Sequence, residues 1–298
     1  MSDNQQYKLK ANWHRKTVLE MGVNGKSGHI TTAFSLSELL ICLYHGGILK
    51  FDPADPLWEG RDRFILSEGQ AGIGLYPILA DIGFFPASNL LNFLGRESTL
   101  GVHAEPNTPG IELLTGSLGH GLPIATGMAD AAKIDKKDWL TVCLVGDGEL
   151  YEGSNWEAML TASRLKLDNL VLIVNRNHQF TIGFTDRDET QRDVILDPLS
   201  EKLESFGFEA RTVENGHSFP DIFDAFEGIR GRDNGKPLAI IVKTIKGNGS
   251  SVIANQRGYH YKVPKGDVLE KVRKDLNEEF ELLCAHEDEL MPALKGDE

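Results

Sequence analysis

Basic charge is what this chain lacks most: 31 lysines and arginines stand against 44 aspartates and glutamates, a net charge of −13. A field of that sign argues against nucleic acid or an anionic membrane surface as partner, so a phosphorylated ligand has to be held by local groups. Cysteine is sparse too. Cys42, Cys143 and Cys284 lie far apart, the first two in apolar runs, so buried reduced thiols are expected rather than a disulfide or a metal cluster. No apolar run reaches the length of a membrane span, and Met1 to Lys10 is polar, without the apolar core of a signal peptide. A cytoplasmic location is therefore expected. With 41% hydrophobic and 25% charged residues, the composition is that of an ordinary globular chain, large enough for one substantial core.

What is present is an alternation of two periodicities. Helical patterns cover about 7 to 23, 35 to 45, 70 to 83 and 118 to 133. Short apolar runs at Phe64–Leu66, Trp139–Val145, Leu170–Val174, Glu209–Val213 and Leu238–Thr244 read as strands, with a helix near Phe219–Ile229 between the last two. Alternation of this kind predicts an α/β fold with a doubly wound, mainly parallel sheet and helices on both faces. Residues 1–298 read as a single domain, without internal repeats. Its last stretch, 267–298, is a charged extension with a helical stripe of Val268, Leu269, Val272 and Leu276, expected to pack on the domain or on a partner chain and to fray from Pro292 onward.

The strand candidate before Gly146-Asp147-Gly148 stops abruptly, which sets a carboxylate at the carboxyl end of a buried strand, between glycines that let backbone approach a ligand. A helical segment follows, about Ser154 to Arg164, with Ser154 as expected N-cap and Glu157 three residues on. The next strand ends in Asn175-Arg176-Asn177. A strand–helix–strand unit thus brings a carboxylate and amide oxygens to one rim of the sheet, where open α/β folds bind ligands. Hard oxygen donors suit Mg²⁺ or Ca²⁺, and Mg²⁺ typically shares its shell with phosphates. A lone Gly-Asp-Gly is also a common tight turn. Here, however, 28 residues (149 to 176) separate Gly148 from Asn177, between two apolar strands.

That spacing resembles the cofactor motif of thiamine diphosphate-dependent enzymes. Ser27-Gly28-His29, Leu66-Ser67-Glu68-Gly69-Gln70, His103-Ala104-Glu105-Pro106, Thr115 to Gly121 and Lys243 to Gly249 follow in the order and approximate spacing of transketolases. The resemblance runs from about residue 7 to about 265. It implies a thiamine diphosphate-binding fold of the type that holds the diphosphate, called the PP domain.

By the same resemblance Asp147, Asn177 and the backbone carbonyl of Gln179 would ligate Mg²⁺, with Ca²⁺ a possible substitute. Gly146, Gly148, Gly116, Leu118 and Asn177 would border the cofactor, Gly148 through a backbone hydrogen bond to phosphate. Glu149 belongs to this group as a structural or interface residue rather than as the activating glutamate, which comes from the other half of the family's enzymes. His29, His103 and His260 match histidines that line the substrate channel and contact the diphosphate or sugar hydroxyls, and imidazoles titrate in the range needed to move a hydroxyl proton. His14, His45, His178, His217 and His286 are read as ordinary surface or structural residues, and the role of His120 is open.

Two departures bear on specificity. Gln70 stands where transketolases carry a histidine, retaining a hydrogen-bonding group but not a titratable one. Ile30-Thr31-Thr32 follow His29 in place of a smaller sequence, which predicts a bulkier, β-branched wall toward the cofactor. A complete transketolase is roughly twice this length. The chain is therefore expected to be the N-terminal subunit of a split enzyme, completed by a pyrimidine-binding C-terminal subunit in a heterotetramer. Its expected reaction moves a two-carbon ketol unit from a ketose or ketose phosphate to an aldehyde, and the two departures suggest a non-standard sugar. Carboligation or decarboxylation of a 2-oxo acid, and a non-catalytic regulatory role, are the alternatives.

Overall fold

The computed structural model describes residues 3–181, 183–185 and 196–293. In chain order the elements are helices α1 (Asp3–Gly25), α2 (Ile30–Ser35) and α3 (Ser37–Tyr44), strand β1 (Arg63–Leu66), helices α4 (Gly72–Asp81) and α5 (Gly121–Ile134), strand β2 (Thr141–Gly146), helix α6 (Gly153–Arg164) and strand β3 (Leu170–Arg176). There follow the two-residue strands β4 (Gln179–Phe180) and β5 (Gly183–Phe184), helix α7 (Leu199–Ser205), strand β6 (Glu209–Val213), helix α8 (Phe219–Phe226), strand β7 (Leu238–Lys243) and helix α9 (Asp267–Ala293). Five strands form one sheet in the order β1-β2-β3-β7-β6, every pair parallel, and β4 and β5 form a separate antiparallel hairpin.

The period of two along a strand decides which layer each side chain joins. In β2, Val142 and Leu144 enter one core with residues of α1, α3, α4, α8 and α9, while Cys143 and Val145 enter the other with residues of α5, α6 and α7. Both faces are covered, which is why β2 and β3 are buried at every position and read as continuous apolar runs rather than alternating ones. All three cysteines are free thiols, Cys42 and Cys143 buried.

Several boundaries differ from expectation. The helical pattern at 35 to 45 forms α3, and an unexpected helix, α2, precedes it; all six side chains of α2 are buried, so it carries no amphipathic stripe. The stretch from 118 begins its helix only at Gly121, and a 3-10 turn, Gly69–Ala71, precedes α4. Helix α6 starts at Gly153 with Glu152 at its N-cap; the Ser154 hydroxyl instead donates to the Gly119 carbonyl at 2.7 Å. Helix α7 has no clear signature in the sequence because only Leu199 and Leu203 of its seven residues are buried, too few to establish a period.

The C-terminal extension packs on the fold. Leu276 and Val272 are fully buried, Asn12 donates to the Leu276 carbonyl at 2.8 Å, and Arg273 pairs with Glu20 at 2.8 Å. The side chain of His286 and residues 294–298, including most of the expected frayed end, lie outside the described residues. No helix among the described residues is long and apolar enough to cross a membrane. Leu276→Ala is expected to lower stability by about 2–5 kcal/mol in urea titration, against less than about 0.5 kcal/mol for exposed Leu282→Ala; equal midpoints would show that α9 is not part of the cooperative unit.

Candidate active site

The carboxyl ends of β1, β2, β3 and β7 share one rim, and its charges are buried. Asp147, the first residue past β2, is 1% exposed, as is Arg176, the last residue of β3. Asp147 Oδ2 accepts from Arg176 Nη1 at 2.9 Å, from the Thr185 hydroxyl at 2.9 Å and from the His178 amide at 2.7 Å. Burial pushes the Asp147 carboxyl up, and these three donors oppose it. A guanidinium cannot shed its proton in this setting, so the adjoining carboxylate is read as ionised. Arg176 Nη2 also reaches Asp197 at 2.7 Å, which ties the start of the α7 segment to the same point.

The oxygen donors fit a hard cation by lone-pair count. Asp147 Oδ1 accepts only the Gly148 amide, at 2.9 Å, and Asn177 Oδ1 only the Gln179 amide, at 3.1 Å, so each side-chain oxygen keeps a free lone pair among the described residues. One carboxylate and one amide with further ligands from outside the chain is the type of shell Mg²⁺ takes. The Gly148 amide, expected to face a phosphate, has Asp147 as its partner here.

Glu149 is 2% exposed and acts as a strap. Its carboxylate accepts from the Ser67 hydroxyl after β1, from the Gly146 amide of β2 at 3.2 Å and from the Gly119 amide at 2.8 Å. Gly119 has φ +82°, and a Cβ there would lie 2.5 Å from Glu152 and Ser154. The strap therefore fixes the turn that presents Leu118, 36% exposed, and Gly116, whose Cα faces the His103 ring. Glu149 thus spends its carboxylate on holding backbone in place.

The structure brings the three expected histidines together. The His29 and His260 rings meet edge-on at 5.4 Å between centroids, and His103 lies close enough to His29 to disfavour its charging. Burial, aided by the adjoining imidazoles and Lys246 for His29 and by Lys246 for His260, pulls His29 down to about 3 and His260 to about 4, so both are neutral near pH 7. Their Nδ1 atoms are buried and have no hydrogen-bond partner among the described residues. Gln70 sits half-buried in the turn after β1 on the same rim, and among the described residues its amide is hydrogen-bonded to none of the three imidazoles.

Sequence reasoning misses four residues near these groups: Lys246, Glu68, Arg176 and Tyr261. Lys246, 2% exposed, donates to Thr32 Oγ1 at 2.8 Å, and burial lowers its pKa. Glu68, 1% exposed, accepts from Asn175 at 3.0 Å, and burial raises its pKa. A lysine inside a glycine-rich block was the available signal for the first; a charged residue flanked by buried strand ends was the signal for Glu68 and Arg176. The expected bulky wall is corrected by the same contacts. Ile30, Thr31 and Thr32 are 1% exposed. Thr31 Oγ1 donates to the Tyr259 carbonyl at 3.0 Å and Thr32 holds Lys246, so they act by anchoring the 246–259 segment.

The other histidines are engaged in ways typical of structural residues. His14 bonds Ser37 and the Gly74 carbonyl, His45 bonds Asp81, and His217 bonds Glu38 and the Ile245 amide. His178 is the exception in part, since its backbone amide joins the rim. His120 is exposed at the start of α5. A cleft of about 570 Å³ opens between the ends of β3 and β7; it includes Asn177 and Gln179 but none of the three imidazoles.

Removing Arg176 leaves the buried Asp147 carboxylate without its counter-charge. Arg176→Met is expected to cost about 3–5 kcal/mol in chemical denaturation, as for other broken buried pairs. Asp147→Asn in the same chain should restore a substantial part; additive losses would mean that the pair is not energetically coupled.

The sequence pattern of the transketolase thiamine diphosphate binding domain matches residues 8–284. An apulose-4-phosphate transketolase subunit from Actinobacillus succinogenes is 40% identical over 273 residues, 91% of this chain and 95% of that protein. The 6-deoxy-6-sulfo-D-fructose transketolase subunit of Clostridium sp. (strain MSTE9) is 37% identical over 253 residues, 84% of this chain and 89% of that one. Among solved structures, transketolase from Campylobacter jejuni superposes with a TM-score of 0.82 at 30% identity, covering 91% of this chain and 43% of the larger one. The chain thus spans less than half of that transketolase. A match of this extent, over the strands and loops that carry the rim, places the chain in the transketolase family, in the part that binds thiamine diphosphate.

Proposed function

We propose that this chain is the N-terminal, diphosphate-binding subunit of a two-chain, transketolase-like transferase that moves a two-carbon ketol unit from a ketose to an aldehyde. The observation that carries the proposal is the convergence on one rim of an Asp147–Asn177 oxygen pair with free lone pairs, a buried Lys246 and two imidazole nitrogens without partners among the described residues. That set is suited to a metal-bridged diphosphate. The split assembly is supported by relatives of nearly equal length that are named transketolase subunits. The chain is read as one PP-type domain, and its partner as the pyrimidine-binding subunit, with a cytoplasmic heterotetramer as the assembly.

Thiamine diphosphate, when bound, would supply a carbon nucleophile for the ketose carbonyl. Asp147, Asn177 and the Gln179 carbonyl would hold its Mg²⁺, a position Ca²⁺ could also fill, while Lys246 and His260 would donate to the anionic groups. Gly116 and Leu118, positioned through Glu149, would border the ring system. Neutral His29 offers one donor and one acceptor nitrogen, so it can hydrogen-bond the hydroxyl beside the bond that breaks and the oxyanion that develops from it, while His103 would take the proton. Gln70 can orient a hydroxyl but cannot exchange protons near neutral pH. The activating glutamate is assigned to the partner.

The names of the two relatives mention apulose 4-phosphate and 6-deoxy-6-sulfo-D-fructose, which supports a donor other than the usual pentose phosphates. The test is turnover by the chain mixed with its pyrimidine-binding partner, thiamine diphosphate and Mg²⁺. Ketol transfer is expected, lost on chelation and restored by Mg²⁺, with no carbon dioxide released from pyruvate, and with ordinary ketose phosphates and ribose 5-phosphate as poor substrates. Carbon dioxide from pyruvate would move the assignment to 2-oxo-acid chemistry. A folded, cofactor-loaded pair without transfer to any aldehyde would move it to a regulatory role.

A further inference from the structure

The segment after His260 carries an aromatic ring that none of the expected site roles includes. Tyr261 is 52% exposed, and its ring centroid lies 4.8 Å from that of His29, tilted by 55°. Its hydroxyl is hydrogen-bonded to Ser27 Oγ at 2.6 Å, which joins two segments 234 positions apart in the chain. His29 thus has His260 against it on one side, ring edge to ring face, and Tyr261 on another. The backbone under Tyr261 is fixed as well, because Thr31 Oγ1 donates to the Tyr259 carbonyl at 3.0 Å.

A large aromatic that remains half in solvent while pinned at its far end has no packing role that accounts for the tether. The side chain is held at two points, ring against His29 and hydroxyl on Ser27, so it presents a fixed surface to solvent instead of swinging free. We infer that Tyr261, set by Ser27, is a specificity-determining residue at the mouth of the site, which limits the length of the ketose and receives the C–H face of a short sugar. The inference rests on the ketol-transfer reading above. It deepens that reading by naming the class of donor that the mouth favours: compact ketoses, whose carbons beyond the two transferred ones fit beside the ring, over extended linear ones.

The mouth acts through two separable parts. The ring supplies surface for stacking and a steric limit, and the tether sets where the ring stands. Tyr261→Ala removes both, whereas Tyr261→Phe and Ser27→Ala keep the ring and release the tether. Tyr261 is too exposed for its truncation to disturb the core, and Tyr261→Phe preserves the contact with His29.

The experiment measures kcat/KM of the two-subunit enzyme for a series of linear ketose donors of increasing length, with a single aldehyde acceptor. Tyr261→Ala is expected to shift the long-to-short ratio toward long donors by roughly 10-fold or more, the scale on which shape selection operates in an enzyme pocket. Tyr261→Phe and Ser27→Ala should produce smaller, equal shifts, and the double variant no more than either alone, because both sever one bond. An unchanged ratio in Tyr261→Ala with active enzyme overturns this inference and leaves the ketol-transfer reading standing. Absence of ketol transfer by the wild-type pair with every donor overturns both.

Discussion

The ion pair between Asp147 and Arg176 is the constraint on which the rest of the rim depends. Both groups sit at the ends of neighbouring parallel strands whose register pairs Gly146 with Asn175, so the pleat itself delivers them to each other. Two buried charges are tolerable only when paired and saturated with hydrogen bonds. The sequence meets that demand with Thr185 and the amides of Gly148 and His178, and Arg176 passes the requirement on to Asp197. As a result the turn that carries Asn177 and Gln179 is fixed before any ligand arrives.

Around that pair the chain builds a second, carboxylate-centred anchor and a third made of hydroxyls. Glu149 joins the ends of β1 and β2 to the turn at Gly119, and Thr31 and Thr32 join α2 to the segment bearing Lys246 and Tyr259. Each anchor links elements distant in sequence but adjacent on the rim, which is how loops become a preorganised site. The imidazoles differ from these anchors. Those of His29 and His260 are desolvated, neutral and short of partners among the described residues, a state that costs stability in the isolated chain. Residues that anchor and residues that wait are therefore distinguishable by their hydrogen-bond accounts.

Much of this is legible without the structure. Asp147 and Asn177 can be placed because a buried parallel strand ends where its apolar run ends, and the parallel sheet follows from alternating periodicities. The three histidines can be grouped only through the family resemblance, since nothing local in the sequence brings positions 29, 103 and 260 together. What the sequence hides is orientation. Ile30, Thr31 and Thr32 read as a wall because they follow His29, yet they turn into the core, where hydroxyl direction decides their effect. Ser154 looks like a cap from its spacing to Glu157, but a nearby carbonyl at Gly119 competes for its hydroxyl. Arg176 and Lys246 carry no periodic signal, only the local ones of a charge at the end of a buried strand and a lysine in a glycine-rich block.

On the function proposed above, the Asp147 rim is a preformed half-site for a metal-bridged diphosphate, completed by a second chain. That reading is tested most directly by calorimetry of thiamine diphosphate with Mg²⁺ into the chain paired with its pyrimidine-binding subunit, comparing wild type, Asp147→Asn and Asp197→Asn. Binding is expected to require both Mg²⁺ and the partner, to be abolished by Asp147→Asn and to survive Asp197→Asn. Equal affinity in all three proteins, or no binding by a folded wild-type pair, would contradict it.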